Sequence, residues 1–147
     1  MTAVTMATAV AEMETRFRNA WDPRLADYPN QNFELPAHSV VWARWRCQHS
    51  TGNQASLANV IGRRRWNRSG SIIVQVFTPL NASELSAYDT AEIVVGAYEG
   101  KTTPSGVWFR NVRVQEANRD INGGLQANVS LWQQRNVIAD FLYDQIH

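Results

Sequence analysis

The residues of this 147-residue chain that could do bond-making chemistry are few and poorly placed for it. The histidines are His38, His49 and His147, and none has the helical or loop spacing of a metal site with a nearby cysteine or carboxylate. Asp22 and Asp27 flank Pro23, where two carboxylates in one loop could be proposed as an acid/base pair, but helix termination and turn chemistry account for both. Ser69-Gly70-Ser71 reads as a loop-to-strand junction and lacks the strained Gly-x-Ser-x-Gly elbow of a nucleophile. No glycine-rich phosphate cradle occurs. The single cysteine, Cys47, cannot form an internal disulfide, which fits a reducing cytoplasm, and its place in a hydrophobic strand predicts a buried, inert thiol. The chain therefore reads as a non-enzyme without cofactor or metal.

What remains is the chemistry of contact. Every basic residue except Lys101 is an arginine, although the net charge is only +1. Arginine's planar, weakly hydrated fork suits interfacial contacts, whereas a merely solvated surface usually carries more lysine. Six tryptophans point the same way, because tryptophan and arginine are enriched at protein-protein hot spots. The two types meet in the run Gly62 to Gly70, where Arg63, Arg64, Arg65, Trp66 and Arg68 fall between bracketing glycines. Since these charges would clash inside a sheet, the run reads as a hairpin tip or a long inter-strand loop. It is a candidate contact surface toward another subunit or toward a partner assembly. An exposed, solvated tip is the plainer reading. Phosphate contact with nucleic acid is a third, opposed by the near-zero net charge, which leaves no continuous basic track.

The elements that position these residues follow from periodicity. Met6, Ala9, Val10, Met13, Phe17, Ala20 and Trp21 recur at three- and four-residue intervals, predicting an amphipathic helix over 3–20 that stops before Asp22-Pro23. A Pro/Asn/Asp-rich connection runs to Pro36, anchored by Tyr28 and Phe33. Ser39 to Gln48 alternates, with Val41, Ala43, Trp45 and Cys47 on one side and Trp42, Arg44 and Arg46 on the other, so a strand is expected. Thr51-Gly52-Asn53 reads as a turn and Leu57 to Ile61 as a weaker strand. Ser71 to Phe77 is the central strand, apolar on both sides, and Pro79 ends it. Asn81 and Glu84 have capping-box spacing for a helix to about Tyr98, with a buried stripe of Leu85, Tyr88, Ala91, Val95 and Tyr98 and Gly100 as terminator. A strand over Val107 to Gln115 switches polarity phase near Asn111, as a bulge would make it. A turn over Asn118 to Gly124 and a strand over Leu125 to Leu131 follow.

Residues 136–147 carry two periodicities: Ile138, Phe141, Leu142 and Gln145 at helical spacing, and Val137, Ala139, Phe141 and Tyr143 in alternation. Such an apolar tail either packs on its own domain or is an arm laid on a neighbour. Phe141 and Tyr143, with Trp42, Arg44 and Arg46, are thus candidates for an inter-subunit surface. Residues 1–147 form a single domain on this reading. Its class is α+β: an antiparallel sheet of four or five strands with two helices packed on one face. The first eleven residues lack the basic n-region of a signal peptide, and no segment has the roughly 20 apolar residues of a membrane-spanning helix.

The order of these features carries a resemblance. An N-terminal amphipathic helix, then Tyr28-Pro29-Asn30 with Phe33 and Pro36, then Gly70 through Val74-Gln75-Val76-Phe77-Thr78-Pro79, then a helix with Ala91-Glu92 and ending in Tyr98-Glu99-Gly100, resembles the tail terminator proteins of long-tailed bacteriophages. The likeness spans about Met6 to Trp132 and rests on order and spacing. It implies a virion protein assembled in the host cytoplasm, forming a ring, most often of six copies, at the head-proximal end of the tail. There it would stop polymerisation of the tail tube protein and offer a surface to head-completion or connector proteins, with DNA passing through and not specifically bound. Two other classes stay open. One is a different tail or neck component, such as a tube or head-completion protein. The other is a single-stranded nucleic-acid binder using Trp42, Trp45, Arg44, Arg46 and the 63–68 run as a stacking and phosphate surface.

Overall fold

The computed structural model describes residues 4–29, 31–36, 40–55, 61, 63–79, 83–116 and 132–146. Helix α1 (Met6–Ala20) begins at Thr5, whose hydroxyl accepts the Thr8 N–H at 3.0 Å, and buries Ala9, Met13 and Phe17. It stops at Trp21, before Asp22-Pro23, where Asp22 caps a single 3-10 turn (Pro23–Leu25) by accepting the Arg24 N–H at 3.0 Å. Strand β1 (Ala26–Asp27) follows at once. The expected anchors act as such: Tyr28 packs against Phe17 and Trp45 beneath the Arg18 guanidinium, and Phe33 lies 5.1 Å from Trp42.

The remaining strands are β2 (Trp42–Gln54), β3 (Arg65–Pro79), β4 (Trp108–Glu116) and β5 (Trp132–Ile146), with helix α2 (Glu84–Tyr98) between β3 and β4. The sheet order is β1-β2-β3-β5-β4. The class is α+β, as expected, and β3 is central. The sheet is mixed and not wholly antiparallel, because β1 pairs with β2 in parallel. At 13 to 15 residues, β2, β3 and β5 run far beyond the usual five or six.

This length overturns several expectations. Thr51-Gly52-Asn53 is no turn: β2 continues through it, paired Thr51 to Ser69, Gly52 to Arg68 and Asn53 to Asn67, after an irregularity at His49 and Thr51. The supposed loop from Arg65 to Gly70 is strand, flanked by β2 on one side and β5 on the other. Segment 136–146 is no arm. Its alternation is the correct period, and it lies inside the sheet between β3 and β4, with Val137, Ala139, Phe141 and Tyr143 buried. Helix α2 starts later than its sequence suggests, capped by Ser83, which accepts the Ser86 N–H at 3.2 Å. Its buried stripe is Ala87, Ala91, Val94, Ala97 and Tyr98, while Leu85 is 75% exposed. Apolar residues on both sides of this helix obscure its phase, and small alanines, not the larger Leu85, face the sheet. Asn81, most of Leu57–Ile61, the turn over Asn118 to Gly124 and the strand over Leu125 to Leu131 lie outside the described residues.

The bulge expected near Asn111 is present. The β4–β5 register shifts between Arg110 and Arg113, and Asn111 adopts φ +53°, a left-handed conformation that asparagine tolerates better than most residues. Gly100, at φ +68°, follows α2 as its terminator.

Both helices cover one face of the sheet. Their buried residues join Ala43, Trp45, Ile72, Val74, Val76, Val137, Ala139, Phe141 and Tyr143 in the main core. At its centre the Trp45 indole N–H donates to the Tyr98 hydroxyl at 2.8 Å, and that hydroxyl donates to the Met13 carbonyl at 3.0 Å, so sheet, α2 and α1 share one buried chain of hydrogen bonds. A second, smaller core of Trp42, Phe77 and Trp132 forms on the opposite face, closed by Leu25 and Phe33.

Candidate interaction surfaces

The arginine/tryptophan run divides at the start of β3. Arg63 and Arg64 precede the strand, whereas Arg65, Trp66 and Arg68 sit on its first turn of the pleat. Charges are tolerated here because the far end of the three-stranded ribbon is open to water: β2 is exposed from Ser50 onward, Arg65 is exposed, and Trp66 and Arg68 are half-buried. Each side chain also finds company. The Arg65 Nε lies 3.9 Å from Asp144, the Arg68 Nε donates to Gln145 at 3.1 Å, and the Arg68 guanidinium stands 5.7 Å from the Trp66 ring. Gly52 faces Arg68 across the pair, where a β-carbon would collide with the guanidinium.

Behind this end, His49 bonds the Tyr143 hydroxyl at 2.8 Å and meets Phe141 edge-on at 5.1 Å. Burial, and then the nearby Arg68 charge, lower the His49 pKa below its ordinary value, so the ring is neutral at pH 7. Its ring packs against Phe141 and Tyr143. Cys47 is half-buried with its thiol pushed up to about 11 by burial, which leaves almost no thiolate at neutral pH. Among the described residues, no group of three His, Cys, Asp or Glu side chains gathers to hold a metal, and no helix is long and apolar enough to cross a membrane.

The other sequence-derived candidates separate. Phe141 and Tyr143 are each 1% exposed, so neither offers a surface on the protomer. Trp42 is buried too, stacked on Phe77 at 4.2 Å. Arg44 and Arg46 stay partly exposed, but both reach back to Asp27, at 3.1 and 3.4 Å, and Arg46 also bonds the Asp27 carbonyl at 3.2 Å. They hold the short edge strand β1 on β2. Asp27 is therefore the acceptor of two arginines and no partner of Asp22. With Trp42 and Trp45 both in cores, the stacking platform that a single-stranded nucleic-acid binder requires is missing from that strand.

No protein-family model matches the chain, and no curated protein does. A solved structure is similar over 98% of this chain and 96% of its own, with a TM-score of 0.57 and 17% sequence identity. At that identity the likeness is one of fold.

Periodicity alone did not single out two further surfaces. The sheet face away from the helices carries Trp108, 41% exposed, with Arg110 beside it and half-buried Leu142, Ile138 and Ile73 along the neighbouring strands. On the same face Asp140 accepts from Ser71 at 2.9 Å, from Asn111 at 3.2 Å and from Arg113 at 3.2 Å, so the bulge turns two β4 side chains toward one β5 carboxylate. The outer side of α2 exposes Leu85, Asp89, Glu92 and Ile93. Their signal was the spacing 85, 89, 92, 93, a second helical stripe hidden by the first.

Two carboxylates give the fold an acid limit. Burial works to raise the Asp140 pKa, but bonds from Ser71 and Asn111 and the Arg113 charge outweigh it and leave it below the ordinary 3.8. Glu12 likewise sits below 4.5: burial opposes, and bonds from Ser105 and Thr103 prevail. A carboxylate depressed in the folded state stabilises in full above its unfolded pKa and ceases to as pH falls through the folded value. Urea midpoints should therefore fall gently from pH 7 to 5, where the unfolded chain protonates His49 before the fold does, and drop further below 4.5, where Asp140→Asn should show a smaller drop than the parent chain. An identical drop in both would remove Asp140 from this role.

Proposed function

We propose that this chain is a structural virion protein of the tail terminator kind: a ring, of six copies by resemblance, that caps a phage tail tube, ends its polymerisation and offers a joint to head-completion or connector proteins. The observation that carries the reading is the order of features from α1 through Tyr28-Pro29-Asn30 and the central strand to α2, and it is supported by a protomer whose exposed patches are unlike one another. One surface is the arginine-bearing end of the β2-β3-β5 ribbon, and another is the open sheet face. A cap needs such mismatch. One side of the ring must accept the last tube ring, while the other must fail to accept another tube subunit, and unlike patches repeated around an axis close into a ring. The ribbon end suits the tube-facing role, because its arginines project from a rigid three-stranded support.

The test is made on assembling particles. Without this chain, tails of irregular length and few joined heads are expected. Arg63→Ala with Arg65→Ala should keep the urea midpoint of the parent while abolishing capping of purified tubes, scored by negative-stain imaging of tube length. Uniform tails joined to filled heads in the chain's absence would end the reading. Normal capping by the double variant would end only the role of the ribbon end.

A further inference from the structure

The outer side of α2 and the β4-β5 part of the sheet face that no described helix covers are complementary in charge and in apolar content. Of the large apolar side chains exposed on the protomer, Leu85 at 75% and Ile93 at 50% stand on α2 with Asp89 and Glu92 between them. The helix contains no lysine or arginine. On the sheet, Trp108 and half-buried Leu142 are cross-strand partners, and Arg110 and Arg113 rise beside them. The Arg110 guanidinium stands 5.7 Å from the Trp108 ring, with no carboxylate within ion-pair distance among the described residues. Because α2 packs on the other face of the sheet, the two patches point away from each other and cannot meet within one copy.

We propose that the outer side of α2 in one copy docks on the open β4-β5 face of a second copy, with Leu85 and Ile93 against Trp108 and Leu142, and Asp89 and Glu92 opposite Arg110 and Arg113. This deepens the ring reading, on which it rests, by naming the subunit-to-subunit contact. The contact is heterologous: helix meets sheet, never helix with helix. Each copy keeps a free helix and a free sheet face until the series closes. Burial of the apolar residues supplies most of the attraction, and the charge pairing fixes register and excludes the opposite arrangement.

Two charge-reversed chains test this in trans. Chain one carries Asp89→Arg and Glu92→Arg, and chain two carries Arg110→Glu. All these sites are exposed, and circular-dichroism melts verify folding. Sedimentation velocity of the parent should show self-association that weakens with salt. Each reversed chain alone should associate at least about tenfold more weakly, since like charges then face each other. An equimolar mixture should recover the parent's behaviour, because each reversed patch then meets its complement. Leu85→Lys is an independent arm with the same expected loss, for use if either reversed chain fails to fold. Association of the reversed chains equal to the parent's, or no recovery on mixing, overturns the helix-on-sheet contact. So does a parent that stays monomeric at every concentration. The tube-capping assay is read separately, so capping by a chain that fails here would leave the terminator reading standing.

Discussion

Alanine at Gly70 is expected to lower the free energy of unfolding by about 3 kcal/mol, the upper end of what an overpacked core costs. Gly70 is buried in β3 opposite His49 on β2 and Phe141 on β5. A β-carbon there would overlap the Gln48 carbonyl oxygen and come within 2.7 Å of both the His49 Cα and the Phe141 Cζ. The first two are backbone atoms inside the sheet ladder, so relief requires the strands to part. The Phe141 ring occupies the space the missing side chain leaves, as aromatic residues do over strand glycines. The sign makes the measurement decisive. In a loop with ordinary backbone angles, glycine to alanine is neutral or stabilising, because it reduces the freedom of the unfolded chain. Urea unfolding of Gly70→Ala beside Ser69→Ala should show a large loss for the first and a small change for the second. Equal midpoints would mean that the strand does not pass Gly70 as described.

That residue also shows where the sequence was legible and where it was not. Period-two alternation located the middle of β2 and β3, and three- and four-residue spacing located α1, because there one face meets a core and the other meets water. The ribbon end escaped notice for a physical reason. Beyond Gly70 no face is fully buried, so arginine, asparagine and serine are as acceptable as valine, and alternation vanishes although pairing continues. Glycine and arginine then look like loop when they are a strand whose charges reach outward to Asp144 and Gln145. The 136–146 segment presented the reverse difficulty, since Phe141 satisfied two periods at once and Leu142 supported the helical one. Only the partners on β3 and β4, remote in sequence, select the strand.

The candidate surfaces were legible in type more than in place. Arginine and tryptophan composition pointed to contact, but Trp42, Phe141 and Tyr143 face inward and Arg44 and Arg46 serve Asp27. Composition cannot distinguish a tryptophan that fills a core from one that waits for a partner. Trp108 is 41% exposed on the protomer, and its neighbours in sequence, Phe109 buried and Arg110 exposed, do alternate as an edge strand should.

Removing the hydroxyl of Tyr98 should cost about 2 kcal/mol, the penalty for a buried donor left unmet. In Tyr98→Phe the volume is nearly unchanged, so the loss isolates the hydrogen bonds. The Met13 carbonyl lies within α1, whose own ladder already uses it, but the Trp45 indole N–H sits in the core with Tyr98 as its acceptor. Trp45→Phe removes that donor, so in the double variant the orphan disappears and the two losses should fall short of additive by about 1 kcal/mol. Additive losses would show that the bond contributes nothing beyond packing. A second signature comes from pH. Burial, more than the Trp45 bond can offset, raises the Tyr98 phenol above its ordinary value of 10.0. A phenol held neutral in the fold stabilises fully below pH 10 and loses that contribution as pH rises further, because the unfolded chain ionises first. The parent should therefore weaken above pH 10 more steeply than Tyr98→Phe, whose phenyl ring has no proton to lose.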